Sequence, residues 1–249
     1  MVGEETVTSA FVSGLWGDEV QLCYSGIKPY KVYDDARTAA LADFRPEPRI
    51  VYAYGDGNAA FLESIGVTSI LLSPDPVPNF TGQAERRTGK SVVHAYGASV
   101  WRAKIEFIAK AVEEHDEVVW LDWDIHLVKP LPADFWDRMR ERRPFQAALR
   151  QLHRRQADWR KHDPRKLHHG GFVYVRGRGV AERLLRLCVE HPMLNDELVY
   201  CKLVDEMMGG EFLGPEAYRE MGFQPYCYNI VRGMCWPVED EVFRNTGRW

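Results

Sequence analysis

Hydrophobic positions along this chain come in short runs separated by polar breaks. Val7-Thr-Ser-Ala-Phe-Val12 is rich in β-formers and ends at Ser13-Gly14, which predicts a strand entering a loop. Arg45-Pro-Glu-Pro48 breaks the chain, and Ile50-Val-Tyr-Ala-Tyr54 then predicts a short buried strand closed by Gly55-Asp-Gly57. Asn58 to Ile65 suits a helix stopped by Gly66, and Thr68 to Leu72 suits another strand, ended by Ser73-Pro-Asp-Pro76. Strand, helix and strand in this order predict a parallel sheet with covering helices.

The clearest helical pattern runs from Ser99 to His115. Trp101, Ile105, Ile108 and Val112 recur on one face, and Arg102/Glu106 and Glu106/Lys110 are opposite charges four residues apart. Val118-Val-Trp-Leu121 is then an apolar strand running straight into Asp122. Phe145–Leu149 and Gly171–Val175 predict further strands. Val180–Glu190 and Asp196–Met208 predict amphipathic helices. The expected fold class is α/β, with a mixed, mostly parallel sheet flanked by helices and a Rossmann-like N-terminal half.

Composition narrows the class. With 249 residues, 45% hydrophobic and 27% charged, the chain has the profile of an ordinary globular protein. No apolar run approaches the roughly 20 residues of a membrane-spanning helix. Met1–Thr8 does not read as a signal peptide. Five scattered cysteines without a CxxC pair fit free thiols in a reducing compartment. A cytoplasmic location is the resulting expectation. The net charge of −4 argues against a general nucleic-acid binder. The charge is uneven, however. Between Arg138 and His169 there are eleven Lys or Arg against Glu141, Asp158 and Asp163, so that stretch is near +8 and the remainder near −12. A basic block on an acidic chain fits a solvated surface, a clamp on an anionic ligand, or peripheral contact with anionic lipid.

Candidate chemistry centres on Asp122 and Asp124. Two carboxylates at i and i+2 stand at the C-terminal end of an apolar strand, where open α/β sheets bind ligands. A hard divalent ion takes carboxylate and phosphate oxygens and needs few protein ligands, so such a pair suits a metal bridging a diphosphate. The plain alternative is a pair of turn residues closing a strand.

Trp120-Leu-Asp-Trp-Asp124, followed by Lys129-Pro-Leu-Pro132, resembles the DxD segment of the GT-A glycosyltransferases. The resemblance covers roughly residues 98–213 and implies one domain over 1–249, with a nucleotide-binding half (1–124) and an acceptor-binding half (125–249). It implies Mn(II) or Mg(II) on Asp122 and Asp124, a UDP-, GDP- or TDP-sugar donor, and a carbohydrate or glycoconjugate acceptor. A basic residue on the preceding helix, Arg102 or Lys104, would meet the nucleotide-sugar. The early loop with Ser13 and Trp16 would hold base and ribose, alongside Asp56 and Trp123. His168-His-Gly-Gly-Phe-Val-Tyr-Val175 resembles the family's small-residue strand, which makes His169, Gly170 and Gly171 donor-site candidates. Asn195-Asp-Glu197 resembles the acidic pair near the acceptor, with Asp196 or Glu197 as a general base if the reaction inverts. Acids in a first helical turn also simply complement the helix dipole.

The chain departs from the family in having no His after His191, where many members supply a late metal ligand. Asn229, His126 or water would take that place. Two other functions fit parts of the pattern. A nucleotidyltransferase usually needs a basic, Gly-rich loop after strand one, and Ser13-Gly-Leu-Trp-Gly17 carries no basic residue. A non-enzymatic anion-binding module would use the basic block alone.

Overall fold

The computed structural model describes residues 7–16, 29–42, 45–72, 103–123, 125–127, 130–141, 143–149, 168–191, 194, 196–207, 227–229, 233–235 and 243–245. Strand β1 (Ser9–Leu15) lies at the centre of the main sheet, with helix α1 (Pro29–Ala40), β2 (Arg49–Tyr54), α2 (Asp56–Ser64) and β3 (Ile70–Leu72) after it. Residues 103–112 form helix α3. Beyond it come β4 (Glu117–Leu121), β5 (Ile125–Leu127), α4 (Phe135–Arg140), β6 (Phe145–Leu149), β7 (His168–Arg176), α5 (Arg178–Glu190) and α6 (Asp196–Met207). Three short strands, β8 (Cys227–Asn229), β9 (Gly233–Cys235) and β10 (Phe243–Asn245), complete the described elements.

Six strands make one sheet in the order β3-β2-β1-β4-β7-β6. The first four are parallel, as the early β-α-β pattern predicts. Strand β7 then runs antiparallel to both β4 and β6, so the sheet is mixed and mostly parallel. The same sheet crosses the expected 124/125 division, because β4 lies before it and β7 after it. Strand β5 belongs to a second sheet, ordered β5-β10-β9-β8.

Alternation along the strands assigns side chains to two faces. Tyr52, Tyr54, Trp120, Val173 and Val175 face α3, α5 and α6, where Ile105, Phe107, Ile108, Leu184, Leu187, Val199, Tyr200 and Leu203 cover them. On the opposite face, Leu15, Val51 and Ala53 pack against Ala36, Ala39 and Leu62 of α1 and α2, and Trp123 joins them. Further along that face, Phe11, Val119, Leu121, Phe172 and Tyr174 pack on Phe135 and Met139 of α4. Every residue of β4 is buried, as expected for a central strand covered on both sides.

Phe107 organises the first face. Its ring stacks on Tyr52 and Trp120 and meets Tyr54 and Trp16 at centroid distances of 4.6 to 6.2 Å. Such pairs add about 0.5–1.5 kcal/mol each beyond area burial. Gly14 lets β1 accept that ring, since a Cβ there would overlap the Phe107 ring atoms.

Candidate functional site

The site begins where β4 ends. Leu121 pairs with Phe172 of β7, and the backbone N–H of Asp122 then donates to the Gly171 carbonyl at 2.9 Å. Asp122 is thus fixed at the C-terminal edge of the sheet, next to the glycine pair. The Ile125 N–H donates to the Asp122 carbonyl at 3.0 Å, so the chain turns sharply after the strand. Asp124 lies outside the described residues, as does Arg102. The side chains of Glu197, His169 and Asn229 lie outside them too.

Lys104 is the centre of the cluster. Its ammonium lies 2.9 Å from Asp122 Oδ1 and 3.1 Å from Asp196 Oδ2, and it donates to the Gly170 carbonyl at 3.0 Å. It also sits 5.6 Å from the centroid of the Trp120 ring, in cation–π range. Only 2% of the Lys104 side chain is exposed, against 31% for Asp122 and 6% for Asp196. Burial alone pulls the ammonium's pKa down. The charges and hydrogen bonds of Asp122 and Asp196 outweigh that and hold it above the ordinary lysine value.

The Trp120 Nε1–H donates to the same Oδ1 of Asp122 at 2.7 Å. Both described contacts to the Asp122 side chain therefore fall on one oxygen. Among the described residues no contact falls on Oδ2, and the side chain is partly exposed. One ammonium against two carboxylates leaves a local sum of −1, and Asp124 follows two residues on. That balance draws in further positive charge.

Gly170 makes the cluster sterically feasible. A Cβ at this position would overlap Asp196 Oδ2 and stand 3.0 Å from Lys104 Nζ. Gly170 thus admits a close approach, and here it is made by the protein's own ion pair. Gly170→Ala should therefore destabilise the fold by about 1–3 kcal/mol through overpacking. Urea unfolding should show a lower midpoint with an unchanged slope, and an unchanged midpoint would show that the cluster has room to move.

A second network holds the turn from the other face. Ser13 Oγ donates to the Leu121 carbonyl at 2.9 Å and accepts from Arg49 Nη2 at 3.2 Å. Trp123 is buried, and its Nε1–H donates to the Gly14 carbonyl at 2.8 Å. The Arg49 guanidinium lies 4.7 Å from the Trp123 ring centroid.

The remaining candidates are spread more widely. Trp16 is partly buried in the Phe107 cluster beside Trp120. Asp56 is exposed in the first turn of α2, beyond the end of β2. Asn229 ends β8, at the opposite edge of the small sheet from β5. Among the described residues no group of three or more His, Cys, Asp or Glu could hold a metal ion. Also among them, no helix is long and apolar enough to cross a membrane.

No family model matches the chain, and no curated protein matches it. Solved structures similar in fold include the apo form of mouse xyloside xylosyltransferase 1. It has a TM-score of 0.41 and 11% identity, with 84% of each chain covered. They also include CMP:2-keto-3-deoxy-manno-octonic acid synthetase complexed with CTP. Here the TM-score is 0.42 and the identity 14%, over 82% of this chain and 86% of that one. At such identities the chemistry rests on this chain's own residues.

Arg49 was not among the residues that the sequence singled out, and the pairing of Lys104 with both Asp122 and Asp196 was not foreseen. A signal existed for each. Arg49 shares its alternation phase with Val51 and Ala53, which places it on the inward face of β2. Lys104 adjoins the apolar stripe of its helix and has Ile108, not an acid, four residues on.

Proposed function

We propose that this chain is a metal-dependent glycosyltransferase that takes a sugar from a nucleoside-diphosphate donor to an acceptor hydroxyl. The observation that carries this reading is the state of Asp122. It stands at the C-terminal end of a central strand, one oxygen held by Lys104 and Trp120, the other on a partly exposed side chain with surplus negative charge around it. Carboxylate oxygens are the donors that Mn(II) or Mg(II) prefers, so Asp122, with Asp124 two residues on, would suit such an ion. When bound, the ion would neutralise charge on the departing diphosphate.

The chain's own residues do the rest. Lys104 and Trp120 keep Asp122 in one rotamer, so its carboxylate is oriented before a ligand arrives. Asp196 is buried, and its carboxylate is used to hold Lys104. Its contribution is to fix that ammonium in place. Asp124 would add the second acid. Trp16, beside the Trp120 ring, would receive the nucleoside together with the residues that follow it. The acceptor would be a carbohydrate or glycoconjugate, met on the side formed by residues after 125.

Ligand-induced thermal stabilisation tests the reading. UDP, GDP or TDP should raise the unfolding midpoint with Mn(II) present and leave it unchanged without the ion. A site at 100-fold saturation stabilises by about 2.7 kcal/mol. No metal-dependent shift with any of the three nucleotides would sink the proposal.

A further inference from the structure

The end of β4 is gripped from both faces of the sheet, and a different cation sits on each side. Lys104 holds Asp122 on the face of α3. On the α1/α2 face the cation is Arg49, and its surroundings are unusual. Arg49 is half-buried, with its Nε out of reach of solvent, and a guanidinium so placed ordinarily has a carboxylate partner. Arg49 has none within ion-pair range among the described residues, and its Nε, fully buried, makes no hydrogen bond. The Glu47 carboxylate accepts the backbone N–H of Arg49, not its side chain. Burial pushes the guanidinium down to about 10, against the pull of Glu47 and with the added push of Arg45.

Such a group costs stability, and an apolar side chain of similar length would cost less. What Arg49 does make are two directed contacts. Its Cζ lies over the Trp123 ring, and Nη2 donates to Ser13 Oγ. Ser13 passes that restraint on to the Leu121 carbonyl, immediately before Asp122. Trp123, immediately after Asp122, is held at its indole nitrogen by Gly14 and over its face by Arg49. Both neighbours of Asp122 are thus tied to one guanidinium.

We propose that Arg49 is a positioning residue for the acidic turn: lying over Trp123 and bonded to Ser13, it sets where Asp122 presents its carboxylate. The consequence for metal and nucleotide rests on the glycosyltransferase reading. The consequence for the turn itself does not. A guanidinium is needed because its several N–H groups let it lie over Trp123 and bond to Ser13 at once, which the single nitrogen of a lysine ammonium does not.

Arg49→Met and Arg49→Lys test this with two readouts. Arg49→Met should keep or raise the thermal midpoint. Amide hydrogen exchange should nevertheless quicken about tenfold in the peptide spanning residues 121–125 and stay unchanged in β2 and β7. Outer-shell residues of this kind shift metal affinity by roughly 10–100-fold, so Mn(II)-dependent binding of the nucleoside diphosphate should weaken by that factor. Arg49→Lys should show the same defects in milder form. Unchanged exchange at 121–125 in Arg49→Met would overturn the proposal. So would a lowered midpoint with faster exchange across the whole sheet, or a chain that does not fold, because these mark a purely structural arginine. If the unaltered protein binds no nucleotide, the glycosyltransferase reading falls, and the exchange measurement still decides the role of Arg49.

Discussion

Replacing Lys104 by methionine should cost about 3–5 kcal/mol of folding stability, the usual result of removing one partner from a buried ion pair. The loss comes from the acids left behind, not from the missing attraction. Asp196 is 6% exposed, so without Lys104 it is a buried charge with nothing to balance it. Asp122, at 31%, recovers part of its solvation from water and contributes less. For a chain of this length the change corresponds to a fall of roughly 6–20 °C in the melting midpoint. Calorimetry or chemical denaturation measures it directly. The double variant Lys104→Met with Asp196→Asn should recover much of the loss, because the buried charge is then gone. Equal destabilisation in the single and double variants would show that Lys104 acts through packing alone.

The same pair dictates a pH signature. The Lys104 ammonium is held above its ordinary value in the folded protein. Its contribution is therefore complete below the ordinary lysine range, about pH 10.4, and is lost as pH rises through that range toward the folded value. Stability should fall more steeply above about pH 10 in the unaltered protein than in Lys104→Met.

Much of this arrangement could be read along the chain, and the parts that could not share a cause. Phe145–Leu149 was expected and is found with the same bounds, and β4 differs from expectation only by Glu117. Val118–Leu121 is uniformly apolar, as a central strand covered on both faces should be, while Phe145–Leu149, at the edge of the sheet, shows through its apolar residues despite the buried Gln146. The Val7–Val12 strand is displaced to Ser9–Leu15, because Ser13 and Gly14 read as a loop. In the structure Ser13 is an inward residue bonded to a neighbouring strand, and Gly14 makes way for Phe107. Helix α1 was not expected. Among its described side chains the buried ones are Ala36, Ala39 and Ala40, small residues that mark a core face less plainly than Leu, Ile or Phe. Strands β5 and β8 to β10 are three residues long, too short for any period to show.

The site divides the same way. Asp122 stood out because its acid follows a buried strand. Apart from Trp120, the other members of the cluster come from α3, α6 and β7, and no spacing in the sequence relates those elements to one another. Asp196 illustrates the difficulty. An acid opening a helix reads equally as a base near a substrate or as a complement to the helix dipole. Its use as a counter-charge for Lys104 depends on Gly170 lying between them without a side chain. Only the packed chain brings those three residues together.

Asp122→Asn should separate the two duties of this acid. Asparagine keeps an oxygen that can accept from Trp120 Nε1, so the side chain can stay where it is. It loses the charge that a divalent ion requires. Lys104 retains Asp196 as a partner, so folding should suffer by only about 1 kcal/mol, the scale of one hydrogen bond to a charged group made neutral. Donor turnover should fall much further, by about 100- to 1,000-fold, the scale seen when one preorganised electrostatic group is removed from a reacting centre. Initial rates of nucleotide-sugar hydrolysis without acceptor, measured over a Mn(II) series at a temperature where both proteins are folded, read the effect. If the acid binds the ion, added Mn(II) should restore part of the rate in Asp122→Asn, since weaker affinity responds to concentration, whereas Asp124→Asn in the same chain should remove the second acid and lower the recovery further. A rate in Asp122→Asn that matches the unaltered protein at every Mn(II) concentration would mean that Asp122 serves the fold alone. The metal would then have to be sought away from the end of β4, and with it the donor.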